Sequence, residues 1–553
     1  MKQHKIFPSS VLATATLSKA TLSKAALFKA ALFKAALSKA ALFKAALSKA
    51  VLSKAALFKA VFSKSVLSAA AVATVVLAAS CSGAGSQEIT GMFPDYSDAT
   101  IPCNIAPLNF RLQGADRFDV AIQGAHGQYS FKGRKGLADF PEKRWHSMLN
   151  AEKGGTLQVT VTAKNSSQSQ GSSQDNAQAA GGNWSRTFSL TVSADSIDPY
   201  LSYRLIEPAY EVWNDIQVEE RSMESFKTRL LGDNRLTGKG CMNCHTSNRN
   251  GTSFMHLRGS NGGTIVNRNG QISKINTRTD HSGGGVYGDI SQDGRYAVFT
   301  TADITFAIHN RLDLRMEVYD KRSDLVVIDL DNLTAQDSPA VSGSEYQETF
   351  PCFSADGRTI FFCRSVSHQQ PDSIRDMHYD IAAVQFDPNT GAVGDRVATL
   401  IRGGENLSFS HLKASPDGHW LMATAAEYGT FPVWHQEAEL WLIDLQEHTV
   451  NVMENANARG ADTYHSWSSN SNWVVFASKR DDMIYGRPYI AHIAADGTIG
   501  KAFVLPQKDP VLYTNTMKSF NLPELYTSPE DYNARTVGSL STIPTDQVSY
   551  IAR

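Results

Sequence analysis

Five residues of this 553-residue chain carry types and spacing that could do chemistry together: Cys241-Met242-Asn243-Cys244-His245. Two thiols three apart, with an imidazole directly after them, form the attachment pattern for a c-type haem. In that chemistry the sulfurs of Cys241 and Cys244 add to the haem vinyl groups, and His245 lies under the iron as proximal ligand. The alternatives for the pair are a disulfide, a redox dithiol and half of a zinc site. A zinc ribbon needs a second Cys pair at similar spacing, and none follows. A thioredoxin-like dithiol needs a strand before it and a helix after it, whereas Gly238 and Gly240 precede this motif and a polar run follows. Met255 and His256 are the nearby candidates for the sixth iron position, with His281 further on. Met255 is preferred, making His245 and Met255 the expected metal ligands. The loop Thr246 to Ser253 could span about 27 Å when extended, and Phe254 and Leu257 would give a thioether its apolar pocket.

Covalent haem requires export, which the N-terminus addresses. Residues 1–80 hold twelve lysines and no acidic residue, ten of the lysines at a five-residue step from Lys19 to Lys64. A five-residue step turns a helix by about 140° per repeat, so these cations spiral round every face. The tract therefore reads as an expanded basic leader. It ends in an uncharged run from Ser65 to Ser80, and Cys81 follows. Basic, apolar and small residues in that order form an export signal. The Cys directly after them resembles the lipidated first residue of a bacterial lipoprotein. Removing twelve lysines from a chain of 53 basic and 54 acidic residues leaves a net charge of −13. Such a balance argues against nucleic acid and anionic lipid as partners.

The elements that must position the motif are strands. Some 470 residues after the leader exceed one domain. Residues 81–100 are small and polar, a tether. Residues 101–197 alternate in period two, as in Leu157-Gln158-Val159-Thr160-Val161, and predict a small β-sandwich, with a polar hairpin insertion at 165–183. Residues 198–284 read as the first propeller blade or blades, carrying the haem motif as an insertion. From 285 to the end a hairpin unit recurs, with turns at Asp293, Asp356, Asp417 and Asn470, 63, 61 and 53 residues apart. Asp-Gly supplies the positive φ of a tight hairpin, and strand repeats of this size predict an all-β fold dominated by a β-propeller of about six blades.

The Ser-x-Asp-Gly hairpins and strands such as Trp441-Leu442-Ile443-Asp444-Leu445 resemble TolB-like propeller repeats. More narrowly, residues 198–510 resemble exported Bacteroidetes-type TolB-like proteins with an embedded Cys-x-x-Cys-His motif, often labelled cytochrome c biosynthesis proteins. The carrying stretches are Cys241 to His245, Met255 to Thr264, Gly429 to His435 and Ala477 to Asp482. The resemblance implies a propeller bearing haem c, and no settled activity.

Two further sets of residues stand out. Cys352 and Cys363 flank one hairpin; with the turn at Asp356-Gly357, Cys352 faces Phe361. Cys363 is then a diagonal neighbour at about 7–8 Å, too far for a disulfide. His411, His435 and His465 fall near unit boundaries, with Glu437 and Glu439 beside His435, and packing and loop polarity explain them better than a metal or acid–base cluster does. No nucleophile elbow or phosphate loop points to an enzyme. Two functions remain. One is a haem-bearing lipoprotein of the outer membrane facing the periplasm, in electron transfer or cytochrome c-linked assembly with a redox partner. The other is a non-redox scaffold that docks envelope proteins, with the two cysteines as a disulfide.

Overall fold

The computed structural model describes residues 91–164, 183–208, 215–259, 261–311, 313–368 and 374–551. The expected export signal, Cys81, the first half of the tether and nearly all of the insertion at 165–183 lie outside the described residues.

Folded structure begins within the expected tether, because Met92–Phe93 and Thr100–Ile101 are already strands. Eight strands between Met92 and Val192 form one sheet, in spatial order 1-3-6-5-4-7-8-2 when counted along the chain. Strand Arg117–Gln123 alternates strictly, with Phe118, Val120 and Ile122 inward. The sheet is continuous in its hydrogen bonding, and Phe110 stacks on Phe118 at 5.9 Å although two strands separate theirs in the order. Against its apolar face packs helix α1 (Glu142–Ala151), which buries Trp145, Met148 and Leu149 in the same core. Trp145 stacks on Phe140 at 5.2 Å, and its indole donates to the Ile105 carbonyl at 3.0 Å. Period-two alternation shows that a face is apolar, not what covers it.

Six sheets of four or five strands follow and form the blades. The turns read from sequence lie in blades 3 to 6, each joining an innermost strand to the next. In blade 3, Ser291 Oγ donates to Asp293 Oδ1 at 2.6 Å, and the same carboxylate accepts the Arg295 amide at 3.1 Å. Ser354 with Asp356, and Ser415 with Asp417, repeat this lock in blades 4 and 5. Gly294, Gly357 and Gly418 then take φ of 73°, 65° and 75°, where a Cβ would be strained.

Blade 1 is assembled from both ends of the propeller. Strands Tyr200–Ile206, Gln217–Ser222 and Thr228–Asp233 are completed by Ser519–Tyr526, which pairs antiparallel with Tyr200–Ile206 as the innermost strand. Past it, Asp546–Gln547 and Ser549–Tyr550 add parallel edges to blades 2 and 3. The ring is thus tied by sequence-distant hydrogen bonds rather than by a covalent link.

Antiparallel order places all second-to-third-strand loops, and the connections between blades, at one end of the propeller, called here the loop face.

Candidate functional site

The cysteine motif is not an insertion, and that expectation is corrected: Met242–Ser247 is the innermost strand of blade 2, paired with Thr252–Leu257. Its residues lack period-two hydrophobicity because an innermost blade strand faces two neighbouring blades and the propeller axis, with no solvent side to mark.

Each of the six innermost strands breaks register once, between Asn243 and His245, Gly285 and Gly288, Thr349 and Cys352, Ser410 and Lys413, Thr463 and Ser466, and Asn521 and Glu524. Five of these bulges centre on a left-handed residue: Cys244, Phe350, His411, Tyr464 and Leu522, with φ between 46° and 51°. These five side chains and Tyr287 line an axial cavity. Cys244 is therefore the blade 2 member of a sixfold ring. Around it, Phe350 stacks at 4.2 Å on Tyr287 and meets His411 at 4.4 Å, and His411 meets Tyr464 at 4.4 Å.

Two residues beyond each bulge lies a second ring: Thr246, Asp289, Cys352, Lys413, Ser466 and Glu524. Lys413 Nζ donates to Thr246 Oγ1 at 2.8 Å and Asp289 Oδ1 at 3.3 Å, and lies 3.5 Å from Glu524 Oε1. Burial opposes its charge, but Glu524 and Asp289 more than offset that and hold the ammonium above its ordinary value.

The predicted haem residues occupy separate environments. Cys241 packs against the apolar cluster between blades 1 and 2, whereas Cys244 lines the axial cavity. His245 is 8% exposed, and its Nε2 lies 3.0 Å from Ser202 Oγ of blade 1. Met255 is the direct cross-strand partner of His245, so both side chains leave the sheet on the same face. Its sulfur lies toward Gly232, in the cluster that holds Cys241 and Met242. His256 leaves the opposite face, with Nδ1 at 2.8 Å from Thr264 Oγ1 and its ring 5.5 Å from Phe299 of blade 3.

These residues do not fit a haem in this packing. Cofactor sites occupy roughly 300–1,000 Å³, and the axial cavity measures about 70 Å³. Trans-axial ligands must approach an iron from opposite sides, while His245 and Met255 lie side by side. Burial pushes the Cys244 thiol up to about 11 and the His245 imidazole down to about 3. The folded protein thus offers a protonated, weakly nucleophilic thiol and a neutral imidazole.

The structure also separates the three other histidines. His411 and His465 line the axial cavity, while His435 lies on the loop face, 3.2 Å from Glu437. Among the described residues, no group of three or more His, Cys, Asp or Glu side chains could hold a metal ion. The Cys352 reading holds: Cys352 pairs with Phe361 and Cys363 with Thr349, and both are free, buried thiols.

A second site escaped the sequence. On the loop face a cleft of about 840 Å³ is lined by Arg311, Arg375, Arg459, Glu427, Glu454 and Trp434, among others. Blade 3 contributes an arm to it. Strands Tyr296–Ile308 and Met316–Asp329, 13 and 14 residues long, outreach the other blade hairpins. The arm's tip supplies Arg311, Asp313 and Leu314 to the cleft. One edge of the arm exposes Ile304, Phe306 and Ile308 at 37%, 52% and 60%. Their i, i+2, i+4 spacing was legible, but it reads as an ordinary inward face until the neighbouring blades are seen to stop short.

No protein-family model matches the chain, and no curated protein matches it. Among solved structures it is similar to TolB from Acinetobacter baumannii, at 12% identity and TM-score 0.37, over 67% of this chain and 79% of that one. The periplasmic gluconolactonase PpgL of Pseudomonas aeruginosa is 13% identical at TM-score 0.32, over 56% and 97%. A hypothetical selenium-binding protein from Sulfolobus tokodaii is 9% identical at TM-score 0.37, over 75% and 94%. The propeller assignment rests on the six blades themselves.

Proposed function

We propose that this chain is a docking propeller of the cell envelope, exported and lipid-anchored through Cys81, TolB-like in its architecture, and non-redox. The observation that carries this reading is the blade 3 arm, whose exposed Ile304, Phe306 and Ile308 stand beside the open cleft on the loop face. Exposed apolar residues grouped beside polar ones mark protein contacts, and propellers host binding as readily as catalysis. The partner expected is an envelope protein.

The test is a photo-crosslinker at Phe306 in the full chain, in its native envelope. One discrete adduct should form, and Ile304→Asp with Ile308→Asp should reduce it at least ~10-fold, because an interface anchor is worth about 2 kcal/mol or more. A crosslinker at exposed Val450, on the outer strand of blade 5, is the control. Equal adducts at both positions would remove the arm from the interface.

The haem reading is retained as a second proposal on one observation, the order Cys241-Met242-Asn243-Cys244-His245 itself. Attachment would have to precede closure of blade 2, since afterwards the two thiols are only partly exposed and lie in separate environments. The expected outcome is no haem stain on denaturing gels of full chain from a host that matures c-type cytochromes. A stained wild type and an unstained Cys244→Ala variant would reverse the order of the two readings.

A further inference from the structure

The blade 3 arm has a strand edge that is left unpaired. From Ala302 to Ile308 the first arm strand pairs only with the second, because its pairing with the innermost strand of the blade ends at Thr301. The His309 amide donates to the Arg315 carbonyl at 2.8 Å, which makes these two a hydrogen-bonded pair. Backbone groups along an antiparallel strand turn alternately to one side and the other. Those of Thr305 and Ala307 therefore turn toward the second arm strand, and those of Ile304, Phe306 and Ile308 toward the open edge. The one register shift, between Asp303 and Ile304, comes from an extra residue on the second strand, Lys321, so the open edge itself runs regularly. The three residues that present their backbone there are also the three with exposed apolar side chains. Their face continues into Met316, the cross-strand partner of Ile308, which is buried with Val433 and Trp434. The second arm strand thus rests on the propeller, and the first overhangs it.

An apolar strand with an unpaired edge is a template for one more strand. The segment itself shows which strand fits. Residues 303–309 read Asp-Ile-Thr-Phe-Ala-Ile-His, a pattern that mirrors itself about Phe306, with an acid at one tip and an imidazole at the other. With two copies laid antiparallel and their Phe306 residues opposed, Ile304 faces Ile308 of the second copy. Asp303 then faces His309 of the second copy, so a carboxylate meets an imidazole at both ends. Parallel in-register pairing would set Asp303 against Asp303 of the second copy, which like charge disfavours. A slip of one residue would send the two apolar sets to opposite faces.

We propose that the arm edge 303–309 is a self-complementary strand, which pairs antiparallel with the same edge of a second copy of this chain about a two-fold axis at Phe306. The Phe306 pair and each Ile304–Ile308 pair exchange two backbone hydrogen bonds. The two arms then form one four-stranded sheet, and its apolar face is continuous across the axis. A two-fold contact of this kind closes on itself and gives a dimer, not a fibre. The inference rests on the reading of the arm as a docking element and names its partner, since a second copy is itself an envelope protein under that reading.

Cysteine trapping in the full chain, in its native envelope, tests the register. Opposed residues of a hydrogen-bonded pair have Cα atoms about 5.5 Å apart, within disulfide reach, whereas separations beyond about 7 Å are not. Phe306→Cys should therefore link to its own copy under mild oxidation. Ile304→Cys and Ile308→Cys should each stay unlinked alone, because like positions are offset by four residues, about 13 Å. Co-expressed, those two variants should link to one another. The yield of linked dimer from Phe306→Cys should exceed that from Ile304→Cys alone at least ~10-fold, given that difference in reach. Equal linking of all three single variants, or linking of none, overturns the second copy as partner. Independently of these variants, the adduct from the photo-crosslinker at Phe306 should carry the mass of two chains. An adduct of another mass keeps the docking reading and overturns this one, and equal adducts at Phe306 and Val450 overturn both.

Discussion

Replacing Lys413 by methionine is expected to cost about 3–5 kcal/mol, the usual penalty for removing one member of a buried charge network. Lys413 belongs to the innermost strand of blade 5, Ser408–Ala414. Its ammonium reaches Thr246 of blade 2, Asp289 of blade 3 and Glu524 on the closing strand of blade 1. The three charged side chains are 17%, 15% and 8% exposed, so both carboxylates stay largely out of water when the cation is gone. Thr246 Oγ1 also donates to Glu524 Oε1 at 2.9 Å, which ties blade 2 to the closing strand. A domain is stable by only about 5–15 kcal/mol in total, so this one change should take up a large part of the margin. Denaturant titration of the wild type, Lys413→Met, and Lys413→Met combined with Asp289→Asn and Glu524→Gln measures it. The triple variant should recover most of the loss, because its polar groups are neutral. A single-variant loss under about 1 kcal/mol, the scale of an exposed pair, would mean that water reaches the axis and that the network is no clasp.

Asp320→Asn is expected to stabilise the protein at pH 8 and to do little at pH 4. Asp320 is 1% exposed between blades 3 and 4, and neither carboxylate oxygen makes a hydrogen bond of full geometry among the described residues. Burial pushes it from 3.8 up to about 7, against the nearby Thr349 hydroxyl and with a smaller upward push from the Asp303 charge. Because the folded value is raised, the folded state holds a proton that the unfolded state has lost between about pH 4 and 7. Stability therefore falls as pH rises through that window, by up to about 4 kcal/mol for a shift of this size. Asparagine carries no such charge. Thermal unfolding of both proteins at pH 4, 6 and 8 should show a gap that opens with pH in favour of the variant. A variant less stable than the wild type at pH 8 would show that the carboxylate is charged and satisfied by water or an ion.

Much of the architecture was legible without coordinates. The Ser-x-Asp-Gly turns are local devices, a hydroxyl, a carboxylate and a residue of positive φ within five positions, so three blades could be placed by inspection, and the variant turn Ser468-Ser469-Asn470-Ser471 placed a fourth. The register of Cys352 against Phe361 followed from the same turn, because a tight hairpin fixes its own pairing. The long alternating strands of the N-terminal sheet were equally plain.

What only the tertiary structure decided is whatever depends on residues far apart in the chain. Ser519–Tyr526 closes blade 1 against Tyr200–Ile206, and no local signal joins segments more than 300 residues apart. Helix α1 adds Trp145, Met148 and Leu149 to the core of the N-terminal sheet, which alternation could not show, since it reports an apolar face and not its occupant. Cys241 to His245 has the order of a haem site, but a covalent pattern says nothing of room. The sixfold bulge seats Cys244 in a narrow aromatic ring and turns His245 and Met255 to the same face. The charge network of Lys413, Asp289 and Glu524 on the axis arises where four blades meet, and the arm of blade 3 is exposed because its neighbours end earlier. Side-chain chemistry is written in sequence, but which groups share a cavity, and whether water reaches them, is set by packing.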